Sequence, residues 1–363
     1  MFRRIVLLFT LLAVIFPVAV IAQETVEVEP YVCPEGFEGQ ELHVYNWSTY
    51  IAENTIPDFE EACGVTVTYD IFDSAEDMLA RIRQGNPGYD IIFPISYHMP
   101  AMIREELLVP LDLEQIPNLA NIDEAFQERS YDPGNQYSVP YLISTIGVGY
   151  NTEIFPDGIT SWEQVWTYDG NAAWIDESRV MLGIALNILG YDASTQDPDE
   201  IAEARDYLVE SGGNVVAIAA DDGQELLARG DVDVVIEWSG DIISMAAECE
   251  CDTYAYAIPE EGTFIELDAV AIPVDAPNPE LAMVFMNYLL HPQVAADIAN
   301  YTGYATPNAV ALEAGLIDEA YAEDPAIYFS SDVAENLFFI FDVGDAEEDY
   351  LNAWDELLIN LGQ

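Results

Sequence analysis

An α/β protein arranged as two lobes is what this sequence predicts, on three observations. Strand-like apolar runs alternate with helical runs along most of the chain. Its 363 residues suffice for two domains of roughly 100–200 residues each. Hydrophobic residues make up 51% of it, enough for sizeable cores despite a heavy acidic charge. The first strand is expected at residues 41–45, with a helical run near Pro57-Asp58-Phe59-Glu60-Glu61 after it. Residues 65–72 read as a second strand. Ser74-Ala75-Glu76-Asp77 has a capping-box signature and opens a helix that Gly85 stops. Residues 89–93 read as a buried strand ended by Pro94, and residues 98–105 as a helix. Further strands are expected at 146–150, 232–236 and 269–273. Asp197-Pro198 starts a helix over 201–209, with proline in the first turn. Strands alternating with helices in this way argue for parallel sheets. No internal repeat or low-complexity tract interrupts the pattern.

Charge narrows the partners. The chain has 67 acidic and 9 basic residues, all nine arginine, for a net charge of -58. Such a field repels nucleic acid and anionic lipid surfaces and attracts small cations. Without lysine there is no phosphate loop of the G-x-x-x-x-G-K type and no Schiff-base chemistry. G-x-S-x-G and H-E-x-x-H are absent as well. An acid-pair glycosidase needs two carboxylates at a set separation, and no pair in the sequence stands out from the other acids. The three histidines, His43, His98 and His291, lie far apart, which argues against a metal centre.

Residues 1–22 read as a targeting segment. Arg3 and Arg4 precede an apolar run to Ile21 that Pro17 interrupts, and Val20-Ile21-Ala22 offers a cleavage site before Gln23. The mature protein is therefore expected to be exported, periplasmic or extracellular. Residues 23–38, with Pro30, Pro34 and alternating acids, form a leader arm. Export permits disulfides. Four cysteines, Cys33, Cys63, Cys249 and Cys251, allow three pairings. Cys33 precedes the first strand and Cys63 ends the first helix, so these two can meet. Cys249 and Cys251 could close a small ring or stay reduced.

The first strand closes on Tyr45-Asn46-Trp47-Ser48-Thr49-Tyr50. In open α/β sheets ligands bind outside the carboxyl ends of strands, and aromatic faces there suit a cation. Ordinary strand-end packing would use the same residues. Other segments recur in a fixed order after it. They are Tyr89-Asp90-Ile91-Ile92-Phe93-Pro94 with Tyr97, Tyr137-Ser138-Val139-Pro140-Tyr141, and Asp176-Glu177-Ser178-Arg179 ahead of Leu189-Gly190-Tyr191. Glu237-Trp238-Ser239-Gly240, Asp268-Ala269-Val270-Ala271-Ile272-Pro273 and Gly303-Tyr304-Ala305-Thr306-Pro307-Asn308 complete the set.

In these segments the chain resembles the spermidine/putrescine-binding proteins of ABC importers, within the periplasmic solute-binding superfamily. The resemblance implies a two-lobe periplasmic-binding-protein fold, type II-like, with a hinge crossed by the chain and cargo held in the cleft. It implies lobes of 39–145 with 269–312 and of 146–268 with 313–363. It implies no enzyme, no cofactor, a membrane ABC permease as partner and a monomer. Trp47, Tyr50, Tyr97, Trp238 and Tyr304 match the family's aromatic positions, and Glu177 and Asp268 its acidic ones. A polyamine is an apolar chain carrying ammonium groups. Aromatic faces would cover its methylenes, and a buried ammonium needs a carboxylate partner. Asp268, just before an apolar strand run, is the expected anchor. Three departures bear on cargo length. Val180 stands where the family often has an acid, Glu266 where it often has an aromatic, and Ile340 or a neighbour where some members use glutamine. Glu266 is thus a further candidate ligand residue. Another small organic cation, such as thiamine or a guanidinium compound, would fit the same description, as would a polyamine sensor.

Overall fold

The computed structural model describes residues 26–363 apart from 128, 250 and 251. The targeting segment, the start of the leader arm and Cys251 lie outside the described residues. Among those described, no helix is long and apolar enough to cross a membrane. The strands are β1 (Glu41–Trp47), β2 (Thr66–Phe72), β3 (Ile91–Ile92), β4 (Ser138–Asn151), β5 (Ala172–Ile175), β6 (Val215–Ala219), β7 (Val234–Trp238), β8 (Tyr254–Ala257) and β9 (Ile265–Ala271). The helices that matter for the site are α1 (Thr55–Cys63), α2 (Ala75–Arg83), α3 (Ser178–Leu189), α4 (Pro198–Ser211), α5 (Ser239–Glu248), α6 (Pro292–Thr302) and α7 (Glu347–Leu361).

Local chemistry sets the helix ends. Gly64 ends α1 with φ 68° and returns its N–H to Glu60 O, a conformation open to glycine at little cost. At α2, Ser74 Oγ accepts from Asp77 N at 3.3 Å. Acids fill its first turn and Arg81 and Arg83 its last, each matching the helix dipole. Asp197 accepts from Asp199 N at 2.9 Å ahead of Pro198 in α4.

The sheet runs β2-β1-β3-β9-β4-β7-β5-β6, with β8 paired to β4. It is mixed, not parallel throughout. β1 pairs in parallel with β2 and β3, and β5 with β6 and β7, as helical crossovers require. The pairs β3–β9, β4–β9, β4–β7 and β4–β8 are antiparallel. The reason lies in the central strands. β4 pairs with β9 over Ser138 to Thr145, then with β7 from Ile146 onward. One strand thereby passes from one half of the sheet to the other. β9 returns beside it, and a third passage runs alongside, where Phe338 bonds Thr263 and Ile265.

Two strand boundaries differ from the sequence reading with consequences. β7 reaches Trp238, so that ring sits at a strand end. β9 begins at Ile265, not at 269, because Ile265-Glu266-Leu267-Asp268 alternates as a strand does. Its polar face is buried as completely as its apolar one: Glu266 and Asp268 are 0% and 4% exposed. Asp268 is therefore a mid-strand residue and not a strand-start one.

The leader arm lies against the first half. Tyr31 packs edge-on to Tyr288 at 4.9 Å, and His291 Nε2 meets Glu29 O at 2.8 Å. A disulfide joins Cys33 to Cys63 across a separation of 30 residues. Cys249 is also disulfide-bonded. Closing a loop of this length removes unfolded-state entropy worth roughly 3–4 kcal/mol. Replacing Cys33 and Cys63 by serine should lower the unfolding free energy by about that amount in denaturant titrations, with the native fold retained.

Candidate functional site

The carboxyl ends of β1 and β7 face each other where the two halves of the sheet meet. Trp47 ends β1, and its indole N–H donates to Phe93 O at 3.1 Å. Trp238 ends β7, and the two indole rings approach edge-on at 6.4 Å. Tyr304 follows α6 through Gly303, whose φ is 73°. Its ring meets Tyr50 edge-on at 5.0 Å. A Cβ on Gly240 would collide with the Tyr304 ring, so the absence of a side chain there lets α5 and Tyr304 pack together. These four rings are each at most 7% exposed, which removes their faces from bulk water.

A cavity lies between them, lined by Trp47, Ser48, Tyr50, Ser144, Asp221, Trp238, Asp241, Asp268 and Tyr304. None of these residues is basic. Tyr50 Oη donates to Asp268 Oδ2 at 2.5 Å, and Tyr304 Oη to Asp241 Oδ2 at 2.6 Å. Two carboxylates thus flank the Tyr50–Tyr304 pair. The free space is about 20 Å³, room for a water molecule but not for a four-carbon chain. Any larger ligand enters only when the two sides separate.

Five of the eight residues singled out in the sequence line this cavity: Trp47, Tyr50, Trp238, Asp268 and Tyr304. The other three sit beside it. Tyr97 lines a neighbouring cavity of about 220 Å³ with Ser96, Arg129, Tyr131 and residues 339–342. Glu177 stands at the start of α3 and is 2% exposed. Tyr97 Oη donates to it at 3.4 Å, and its side chain makes no cap bond to its own helix. Glu266 accepts from Ser96 N at 2.7 Å through Oε1, while buried Oε2 has no partner among the described residues. Val180 is buried inside α3, and Ile340, also buried, lines the Tyr97 cavity, so both departures are buried apolar groups.

Asp241, Asp221 and Ser48 were not singled out in the sequence. Asp241 lies three residues beyond Trp238 in the first turn of α5, where an acid is read as a partner of the helix dipole. Asp221 lies in an ordinary turn sequence, Ala220-Asp221-Asp222-Gly223. Asp221, Glu237 and Asp241 present carboxylate oxygens within 4.8 Å of one another. Backbone N–H groups of Gly223 and Trp238 occupy both oxygens of Glu237. Hydroxyls of Thr49 and Tyr304 occupy those of Asp241.

Burial holds these acids toward their neutral forms. It pushes Asp268 well above the usual carboxylate range, helped by the charge of Glu266 and opposed by the Tyr50 bond. Asp221 is raised by burial and by Asp241, and Glu237 by burial, Asp241 and Asp221. Burial brings Glu266 up to about 7 against the Ser96 bonds. A cation in the cavity would reverse the balance and release protons.

The chain matches the family model for bacterial extracellular solute-binding proteins over residues 54–328. The putrescine-binding periplasmic protein SpuD of Pseudomonas aeruginosa is 33% identical over 316 residues, covering 82% of this chain and 86% of that one. The spermidine/putrescine-binding periplasmic protein of Escherichia coli is 31% identical over 321 residues, covering 87% and 91%. Among solved structures, the spermidine/putrescine ABC transporter substrate-binding protein PotD of Streptococcus pneumoniae superposes with a TM-score of 0.74 at 32% identity, covering 89% of this chain and 99% of that one.

Glu266 gives the site a pH signature. The folded chain holds its proton between the ordinary value of 4.5 and about 7, where the unfolded chain does not. Stability from this group is thus present at low pH and lost as pH rises through about 7. Thermal unfolding of the cargo-free protein between pH 5 and 8 should show a melting temperature that declines toward the upper end. The decline should be shallower in Glu266→Gln, and equal slopes in the two proteins would refute this protonation.

Proposed function

The chain belongs to the bacterial extracellular solute-binding proteins, and on that premise we propose that it captures a polyamine of the putrescine/spermidine class and hands it to an ABC permease. The family is one of binding proteins, not enzymes, and its fold has two lobes. One observation carries the choice of cargo: an aromatic cavity with Asp268, Asp241 and Asp221 in its wall and no basic side chain among its lining residues. An anionic or neutral solute would leave these acids without a counter-charge. A flexible chain ending in ammonium groups meets both features, since rings cover methylenes and attract cations at about 0.5–2 kcal/mol each. The names of the relatives from Pseudomonas and Escherichia support the same cargo.

Trp47, Tyr50, Trp238, Asp268 and Tyr304 form the proposed first contacts. Tyr97, Glu177 and Glu266 extend the site toward the neighbouring cavity. The lobes are proposed as 39–145 with 269–312 and 146–268 with 313–363. The passage of β4 at Thr145 and Ile146 supports the first boundary. Leu316, Tyr321 and Tyr328 pack with Ala296, Ala299 and Ala311, which favours moving the last boundary toward Phe338.

Titration with putrescine, spermidine, agmatine and thiamine tests the cargo. A polyamine at about 100 times its dissociation constant should stabilise the fold by about 2.7 kcal/mol. A folded protein whose melting point none of these shifts would refute the reading. Asp268→Asn should cost on the order of 2–5 kcal/mol of binding, because a buried ammonium loses its partner. An affinity within about twofold of wild type would move the anchor elsewhere.

The net charge of -58 has its own consequence. If surface acids steer cations, raising salt from 0.05 to about 0.5 M should slow association and leave dissociation nearly unchanged. Stopped-flow traces read both rates directly.

A further inference from the structure

The loop after β1 is fastened at both ends to its own half of the sheet. The indole of Trp47 is bonded to Phe93 O. Tyr141 Oη donates to Tyr50 O at 2.8 Å, and Tyr50 Oη to Asp268. Between these anchors the chain turns the other way. Ser48 Oγ donates to Asp221 Oδ2, and Thr49 Oγ1 to Asp241 Oδ1 at 2.7 Å. Asp221 follows β6 and Asp241 opens α5, so both bonds reach the opposite half. Thr49 has φ 46°, a left-handed backbone that a β-branched residue adopts only when its surroundings impose it.

The three clustered acids differ in where their donors come from. Glu237 takes both from its own half. Asp241 takes both from the opposite side, Thr49 and Tyr304. The described side-chain donor to Asp221 is Ser48, from across the cleft. Opening the cleft would leave Asp221 beside Asp241 and Glu237 without that donor. Closing it returns a hydrogen-bond partner to a partly buried carboxyl oxygen that would otherwise be left unsatisfied. The cavity of about 20 Å³ is that of a cleft already shut.

We propose that Asp221 is a positioning residue that, through Ser48, latches the cleft in its closed form and thereby sets how slowly cargo leaves. The proposal rests on reading this cleft as the cargo site. Trp47 and Tyr50 flank the latch, so holding Ser48 down holds both rings over the cavity.

Stopped-flow kinetics with putrescine, on Ser48→Ala, Asp221→Ala, the double variant and Ser48→Thr, test it. Each alanine should speed dissociation about tenfold. The double variant should release no faster than either single one, because both remove the same bond. Ser48→Thr, which keeps the hydroxyl, should release at the wild-type rate. Additive effects of the two alanines would mean that Asp221 acts on cargo directly and would overturn the latch, as would an unchanged release rate in Ser48→Ala. Solution scattering without cargo supplies an arm that needs no ligand. Ser48→Ala should have a larger radius of gyration than wild type, while circular dichroism confirms that it is folded. If wild type binds none of the organic cations, the cargo reading fails, and an unchanged radius would then overturn the latch separately.

Discussion

Buried carboxylates without basic partners govern this molecule. Asp268, Asp241, Glu237 and Glu266 are withdrawn from water, and among the described residues no arginine is bonded to any of them. Desolvating a charge is costly unless an opposite charge or several donors offset it. The chain offsets it in part with hydroxyls and backbone N–H groups, and in part by keeping the acids protonated. The remainder is available to a cation. Affinity for a cationic cargo and the proton affinity of the empty site are therefore two readings of one electrostatic arrangement.

The few arginines are deployed elsewhere. Arg179, with a side chain 1% exposed, pairs with Glu347 at 3.0 Å and donates to Phe341 O. Its guanidinium lies 4.4 Å from the Tyr350 ring and 5.4 Å from that of Tyr97. It ties α3 to the start of α7 and supports Tyr97 from behind. Arg83, Arg104, Arg205 and Arg229 form more exposed pairs, which contribute little to stability individually. None of them lines the aromatic cavity.

Architecture and electrostatics meet at β4 and β9. These strands carry the chain between the halves of the sheet, and β9 also carries Glu266 and Asp268. The proposed anchor acid, Asp268, thus sits on the passage around which the halves would move. The aromatic walls come from different halves, Trp47 and Tyr50 from one and Trp238 from the other. Closing the halves completes the ring set, and parting them opens it. Ser48, Thr49 and Tyr304 bond the opposite wall directly, at Asp221 and Asp241.

Much of this was legible in the residue order. Alternating strands and helices, a capped α2, a proline-started α4 and an aromatic cluster at the end of β1 can be read because period, cap and composition are local properties. Trp47, Tyr50, Trp238, Asp268 and Tyr304 were recognisable as members of a shared pattern. The antiparallel passages were not, since β4 pairs with β7 and β9 through residues far apart in sequence, such as Tyr150 with Val234 and Ser138 with Ala271. Nor was the role of Asp221 or Asp241: each reads locally as a turn or helix-start acid among 67 acidic residues. Only the tertiary fold decides which of those acids lose their water, because burial is a property of what packs around a side chain and not of its neighbours in sequence.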